Sequence, residues 1–484
     1  MPETTPTQVS GAGAARDPCQ PRGFPQAVRT LVGWQRALGI AVLVGLVVWA
    51  VLDYRTELLV VNCLFTFFYF LVTVYRVLLI DLSLRHAREL RIAPEQIAAG
   101  PAGGEWPRYL VLVPVYHEGA VLPALVDAMD RLDYPKDRME VRLLVEEDDH
   151  ETLAAARALD LKPPVVVYPV PFSLPRTKPK ACNVGLAGSE AEYLVIFDAE
   201  DRPEPDQLKK AALAFAALPR EVGCVQAKLS FYNPDRNVLT RCFTVEYATW
   251  FDLCLPGLDA MKAPIPLGGT SNHFRLEVLR KLGGWDEYNV TEDCDLGLRL
   301  FLRGWQTRIL DSTTWEQACP DLRYWIRQRS RWVKGYIQTY IVHTRHPWQL
   351  CRTLGFGNSL HFHLLIGGTP FCQLISPLYW VLTLLWLVWR PAAVEAFFPG
   401  PIFAVGAFCL FGGNFIFAYT SGIAAVRRGF GHLTKYGLVM PFYWMLMSVG
   451  AWRGLWGLVR RPHHWDKTKH FAEPVAPAAK PGGA

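Results

Sequence analysis

Hydrophobic and polar positions divide the chain into three zones. Residues 37–52 are apolar, end at Asp53, Tyr54 and Arg55, and are just long enough to span a bilayer. A second apolar run, 58–80, is interrupted only by Asn62 and Arg76, and Arg76 is close enough to its end to reach the interface. Residues 359–389, 402–426 and 436–459 are again apolar, the last with Arg453, Trp444, Trp452 and Trp456. Between these blocks the period changes. Short β-rich runs at 109–113, 140–145, 165–168, 193–197 and 224–230 alternate with helical patterns at 121–132, 152–159, 180–187 and 205–217. That alternation predicts an α/β domain with a largely parallel sheet, whose ligands sit at the carboxyl ends of the strands. Residues 321–340 are amphipathic and rich in Trp, Arg and Tyr, which suits a helix lying in a membrane interface.

Composition sharpens this division. Of 484 residues, 51% are hydrophobic and 19% charged, against about 25% charged in an average soluble protein. The deficit is confined to the two apolar blocks, which excludes a wholly soluble enzyme, a disordered chain and an all-helical membrane protein. The net charge of +6 fits a Lys/Arg excess on one membrane side better than a nucleic-acid footprint. Eleven cysteines without a Cys-x-x-Cys pair predict reduced thiols rather than a disulfide framework or a zinc site.

The expected organisation is a disordered cytosolic tail (1–36), two transmembrane helices (37–80), a linker (81–107), the α/β domain (108–320), interfacial helices (321–358), transmembrane and interfacial helices (359–459), and a cytosolic segment with a disordered tail (460–484). The basic loops around 427–435 and 460–469 both belong on the cytosolic side. One span between them would separate them, and Arg453 at mid-bilayer costs about 3 kcal/mol. Residues 436–459 are therefore expected not to cross, leaving four firm spans.

Candidate chemistry follows the predicted strands. Tyr116, His117 and Glu118 come after the first, where a carboxylate and an aromatic can bind a ribose or base. Glu146, Glu147, Asp148 and Asp149 come after the second and can accept hydrogen bonds from a base N–H. Asp198, Glu200 and Asp201 crowd the next strand end and can hold a hard divalent cation shared with a diphosphate. Gly268 and Gly269 permit close backbone approach, and Gly283-Gly284-Trp285 follows. Thr291, Glu292 and Asp293 open a helix, with Thr291 as its N-cap and a carboxylate placed as a general base. Arg331 can clamp a diphosphate, and Trp332 offers a face for a sugar ring.

In order and spacing this set resembles the membrane-embedded family 2 glycosyltransferases of GT-A fold, such as bacterial cellulose synthase and hyaluronan synthase. The resemblance covers roughly residues 58–345. Its most specific elements are Thr291-Glu292-Asp293 followed by Gln328-x-x-Arg331-Trp332. It implies a Rossmann-like cytosolic GT-A domain inserted between N- and C-terminal transmembrane helices. The implied activity is inverting transfer of a hexose from a nucleotide sugar, UDP-glucose in the first instance, to a growing β-linked polysaccharide with coupled export. It makes Asp293, with Glu292, the catalytic carboxylate. Tyr116, Glu118, Glu146, Asp148, Lys180, Asp198 and Arg331 become donor contacts, with Lys178 beside Lys180. Thr291, Gln328, Trp332 and Trp285 become acceptor contacts. Asp198 and Glu200 become ligands of Mg²⁺ or Mn²⁺, with Asp201 the alternative to Glu200. Trp465, Lys467 and Thr468 become a segment that reaches back to the nucleotide. The Asp-x-Asp motif departs here to Asp198-x-Glu200, and the cellulose synthase gating sequence is absent. Implied partners are the donor, a polysaccharide or glycolipid acceptor, the bilayer, and export or accessory proteins, with no nucleic acid. The implied location is a plasma (inner) membrane, multi-pass. Two rivals are single-sugar transfer to a lipid and a non-catalytic scaffold with a relic transferase domain.

Overall fold

The structure, a computed structural model, describes residues 24–86, 89–159 and 161–464. Eight strands form one mixed sheet: β1 (Tyr109–Val115), β2 (Met139–Glu146), β3 (Val165–Val170), β4 (Tyr193–Ile196), β5 (Arg202–Pro203), β6 (Val222–Phe231), β7 (Asn272–Arg275) and β8 (Gln306–Glu316). Their order is β3-β2-β1-β4-β7-β6-β8-β5. The five strands expected from the apolar runs are β1, β2, β3, β4 and β6. Neighbours β3-β2-β1-β4 and β6-β8 are parallel, whereas β7 runs antiparallel to both β4 and β6, and β5 to β8. The sheet is thus mixed rather than largely parallel. β7 carries no apolar run, because its Asn272 and His273 are buried polar residues. His273 meets the Tyr109 hydroxyl at 2.6 Å and Gln207 at 3.3 Å. Burial holds its imidazole down at about 3, so it is neutral.

This reversed strand positions the site. The carboxyl ends of β1, β2, β4, β6 and β8 share one edge, and β7 begins at that same edge. Gly268 and Gly269, just before β7, therefore line the same cavity as Tyr116, Glu146, Asp198 and Glu316. Fully buried apolar side chains on both faces hold the strands, including Val111, Val113, Leu143 and Phe197 on one side and Leu112, Leu194 and Phe274 on the other. Each such side chain contributes about 1.5–3 kcal/mol of transfer free energy.

Among the described residues, three helices are long and apolar enough to cross a membrane: Gly33–His86, Pro347–Trp389 and Gly400–Arg427. The first breaks at Asp53, whose backbone leaves the helical region and whose carboxylate accepts the Thr56 N–H at 3.2 Å. Both ends of this element return to the α/β domain side. Gln35 Nε2 donates to the Ile341 carbonyl at 2.9 Å and Ser83 Oγ to the Asp252 carbonyl at 3.3 Å, while mid-element Asn62 Nδ2 donates to the Phe397 carbonyl at 2.6 Å. The expected linker is packed rather than free, since Leu90 bridges Leu310 and Glu89 accepts a bond from Lys228 at 3.0 Å.

The amphipathic stretch forms the helix Leu322–His343, started by Asp321, whose carboxylate accepts the Arg323 and Tyr324 N–H groups at 2.8 and 3.0 Å. The last apolar run forms the helix Met440–Arg460, packed along it. Gly454 lets the two backbones close, because a Cβ there would lie 2.6 Å from the Ser330 carbonyl oxygen. Contacts at both ends of Met440–Arg460 lead to the α/β side. Before it, Tyr436 accepts a bond from Arg241 at 2.8 Å; after it, the His464 carbonyl accepts Lys334 Nζ at 2.6 Å and His463 meets the Tyr288 carbonyl at 3.2 Å.

Candidate active site

One cavity of about 570 Å³ runs from the strand edge into the apolar helices. Tyr116, Glu118, Glu146, Asp198, Glu200, Thr291, Glu292, Asp293, Gln328, Arg331 and Trp332, separated by more than two hundred positions in the chain, all line it. Lys180, Asp148 and Trp285 do not, and Trp465, Lys467 and Thr468 lie outside the described residues.

The carboxylates after β4 have distinct tasks. Asp198 pairs with Lys178, whose ammonium also donates to the Gly269 carbonyl at 2.7 Å. Burial pulls the Lys178 ammonium down, but Asp198 and Glu292 more than offset it and hold it above its ordinary value. Asp201 turns inward, accepts the Asp198 N–H at 2.7 Å and bonds the Thr270 hydroxyl, so it closes the turn. Glu200 faces the cavity beside Glu316, the last residue of β8. Burial, followed by Asp201, Glu200 and Asp198, pushes the Glu316 carboxyl well up. Asp198 and Glu200 thus put carboxylate oxygens, the donors a hard divalent ion takes, on the cavity lining, with the Lys178 ammonium paired to Asp198 in the structure. Among the described residues no group of three His, Cys, Asp or Glu side chains forms a ready-made ligand set.

Also on the cavity lining, the helix Glu292–Leu302 starts at Thr291. Thr291 stands at the N-cap position but makes no side-chain cap bond. Its side chain instead meets Gly335 on the helix Leu322–His343, where a Cβ would come within 2.3 Å of it. Asp293 Oδ1 accepts the Cys294 N–H at 2.7 Å, and its Oδ2 sits beside Gly269. Burial pushes the Asp293 carboxyl up while the Cys294 N–H, Lys178 and Arg331 pull it back. Burial and Asp293 push Glu292 up further. The third acidic residue of this run, Asp295, is buried and tied to Arg299 and His343, each at 2.7 Å.

Neighbouring positions on Leu322–His343 divide the labour. Gln328, Arg331 and Trp332 face the cavity. Trp332 stacks toward Tyr247 at 6.3 Å and lies under Arg329, whose guanidinium is 4.6 Å from the ring. Arg329 is fixed by Glu246 (Nη1 to Oε1, 2.8 Å) and by the Tyr443 hydroxyl at 2.9 Å.

Three placements depart from expectation. Trp285 is a core residue packed against Phe274 at 6.1 Å, because its glycine-led turn is held by Asn183 beneath the sheet. Lys180 is buried against Glu146 at 2.8 Å and the Pro171 carbonyl at 2.7 Å, and Lys178 takes the place on the cavity wall. Asp148 pairs with Arg176, which bonds the Tyr116 hydroxyl at 2.9 Å and lines the cavity in its stead. Arg176, Glu316 and Glu246 were not singled out from sequence. Arg176 lies two residues before Lys178, and Glu316 ends a polar strand that carries no apolar signal.

Residues 193–398 match the family model described as glycosyl transferase family group 2. The chain is 29% identical over 245 residues to the probable glycosyltransferase YdaM of Bacillus subtilis, covering 49% of this chain and 57% of that one. It is 29% identical over 239 residues to the probable glucomannan 4-beta-mannosyltransferase 3 of Oryza sativa subsp. japonica, covering 48% of this chain and 43% of that one. The chain thus spans about half the length of the curated relatives it matches. Among solved structures, the mannosyltransferase PcManGT from Pyrobaculum calidifontis in complex with GDP-Man and Mn²⁺ has a TM-score of 0.48 and 19% identity, covering 82% of this chain and 99% of that chain. S. aureus TarS 1–349 in complex with UDP-GlcNAc has a TM-score of 0.39 and 14% identity, covering 74% and 93%. Over residues 193–398 the chain is thus similar to glycosyl transferase family group 2.

Proposed function

We propose that the chain is an inverting, nucleotide-sugar-dependent hexosyltransferase of GT-A type that extends a β-linked polysaccharide at a bacterial plasma membrane. The observation that carries this reading is the cavity itself, which gathers Asp293, the Lys178–Asp198 pair, Arg331 and Trp332 in one lining, with Gly269 between Asp293 and Lys178. An acceptor hydroxyl rests on Trp332 and gives its proton to the Asp293 carboxylate. Its oxygen forms the new bond to the anomeric carbon as the bond to the nucleoside diphosphate breaks. Arg331 and Lys178 offset the charge that develops on the leaving oxygen. Mg²⁺ or Mn²⁺, held by Asp198 and Glu200, supplies further positive charge to the diphosphate when bound. Tyr116, Glu118 and Arg176 contact the nucleoside.

The contacts at both ends of Met440–Arg460 support a topology of four crossings, with the α/β domain cytosolic and Met440–Arg460 lying along the interface. A cysteine reporter replacing His470 and labelled only from the outer face would overturn it.

The donor is UDP-glucose on the family resemblance; the rice relative's name favours mannose from a guanosine donor as a second reading. A panel of UDP- and GDP-sugars, scored by nucleotide release and product size, separates them. Asp293→Asn is expected to cut kcat by about 10²–10⁴-fold, and undiminished turnover would sink the base assignment. Chelation by EDTA should abolish release, and Mg²⁺ or Mn²⁺ should restore it. A product of one added sugar on lipid would replace the polymer reading.

A further inference from the structure

Arg76 breaks an otherwise apolar stretch, yet it does not turn to the interface. It lines the membrane-side arm of the cavity, where Nη2 donates to Thr369 Oγ1 at 3.1 Å. No carboxylate among the described residues pairs with it. A charge kept on an apolar helix is costly to insert, and such charges mark ligand pathways where they face a cavity. A second polar group on the same cavity lining lacks a partner. Gln373, one turn beyond Thr369 on the same helix, lines the cavity, and its amide oxygen is buried without a hydrogen-bond partner. Exchanging the ends of that carboxamide turns its N–H donors inward instead. Guanidinium, hydroxyl and amide then form a donor set for an oxyanion.

Charge and depth narrow the occupant. At the strand-edge end Lys178 and Arg331 stand among Asp198, Glu200, Glu292, Asp293 and Glu316, whereas no carboxylate among the described residues pairs with Arg76. Arg76 stands seven residues before Ser83, the last tie of its helix to the α/β domain, a helical rise of about 10 Å. That places Arg76 about two helical turns along the apolar helix from the α/β domain. Val72, Leu365, Phe417 and Met445 give the same arm an apolar wall that suits a lipid tail. We propose that Arg76, Thr369 and Gln373 bind the phosphate of a membrane lipid on the acceptor side of the cavity. That the side is the acceptor's rests on the transferase reading, whereas binding itself does not.

The test is native mass spectrometry on the full chain purified in non-ionic detergent, with phosphatidic acid and a diacylglycerol of the same tails as probes. Phosphatidic acid should be retained roughly tenfold or more over diacylglycerol. Arg76→Gln should erase that preference, while Arg453→Gln, on the exposed face of Met440–Arg460, should keep it. Equal retention by wild type and Arg76→Gln overturns the proposal. Displacement by inorganic phosphate at matched concentration would make the ligand a free anion, and displacement by an oligoglucuronate would make it an acidic glycan; either overturns the lipid assignment. Where Arg76→Gln does not fold, Thr369→Val and Gln373→Leu carry the test, and the proposal falls if neither weakens retention. Intact lipid preference in a protein that releases no nucleotide would support the site and defeat the transferase reading alone.

Discussion

Three lysine- or arginine-carboxylate pairs stand at the ends of β2 and β4, and they differ in one property. Lys180 and Glu146 are sealed, with side chains 3% and 7% exposed. Lys178 and Asp198 stand on the cavity wall at 14% and 36%. Arg176 and Asp148 lie at the rim at 34% and 36%. Lys178 and Lys180 are only two positions apart and look alike in sequence, but the helix turns them to opposite sides. A pair this deeply buried does not exchange its partner for a ligand, although Glu146 touches the cavity, and it fixes β2 against the helix Lys178–Gly185. A pair on the wall can exchange its partner for a cation or a diphosphate. The gradient teaches that a carboxylate at a strand end serves the chemistry only where its counter-ion is reachable.

Substitutions along this gradient should separate stability from activity. Lys180→Met leaves a buried carboxylate uncompensated and is expected to cost about 3–5 kcal/mol of folding stability, read by denaturant unfolding in detergent, with the donor KM of surviving protein unchanged. A large KM shift without loss of stability would erase the distinction between the sealed and open pairs. Lys178→Met should do the reverse, lowering kcat by about 10²–10³-fold with little change in unfolding.

The pH profile sharpens the contrast. If Asp293 is the proposed base it must be ionised to take a proton, and burial raises its carboxyl, so kcat/KM should fall on acidification through a value above the ordinary carboxylate range. Lys178 pulls that carboxyl down, so Lys178→Met should move the acid limb to higher pH, and a conservative change at Lys180 should leave it in place. An unmoved limb in Lys178→Met would detach Lys178 from the base. The rim pair should matter least. Arg176→Gln is expected to raise the donor KM about fivefold through loss of its bond to Tyr116, with no measurable change in the unfolding midpoint.

Much of the site was legible because chemistry concentrates where apolar runs stop. Asp198, Glu118 and Glu146 follow strands that hydrophobic patterning identifies, and Asp293 and Arg331 sit in motifs of fixed spacing. Glu316 was not, since β8 reads as a polar segment and becomes a strand only by pairing with β6. Trp285 misled for the opposite reason: a tryptophan after paired glycines suits a sugar platform, but Gly284 and Asn183 fold that turn into the core.

The sequence by itself determined the alternation of strands and helices, the apolar blocks, and which residue types could hold a diphosphate, a cation and a proton. These are local properties, set by periodicity and by the short-range order of side chains. Tertiary structure alone decided that β7 runs backward and delivers Gly269 to Asp293, that Lys178 rather than Lys180 faces the cavity, and that Arg76 turns inward to Thr369. Those outcomes depend on strand direction, helix rotation and the packing of distant segments, none of which is encoded by neighbours in the chain.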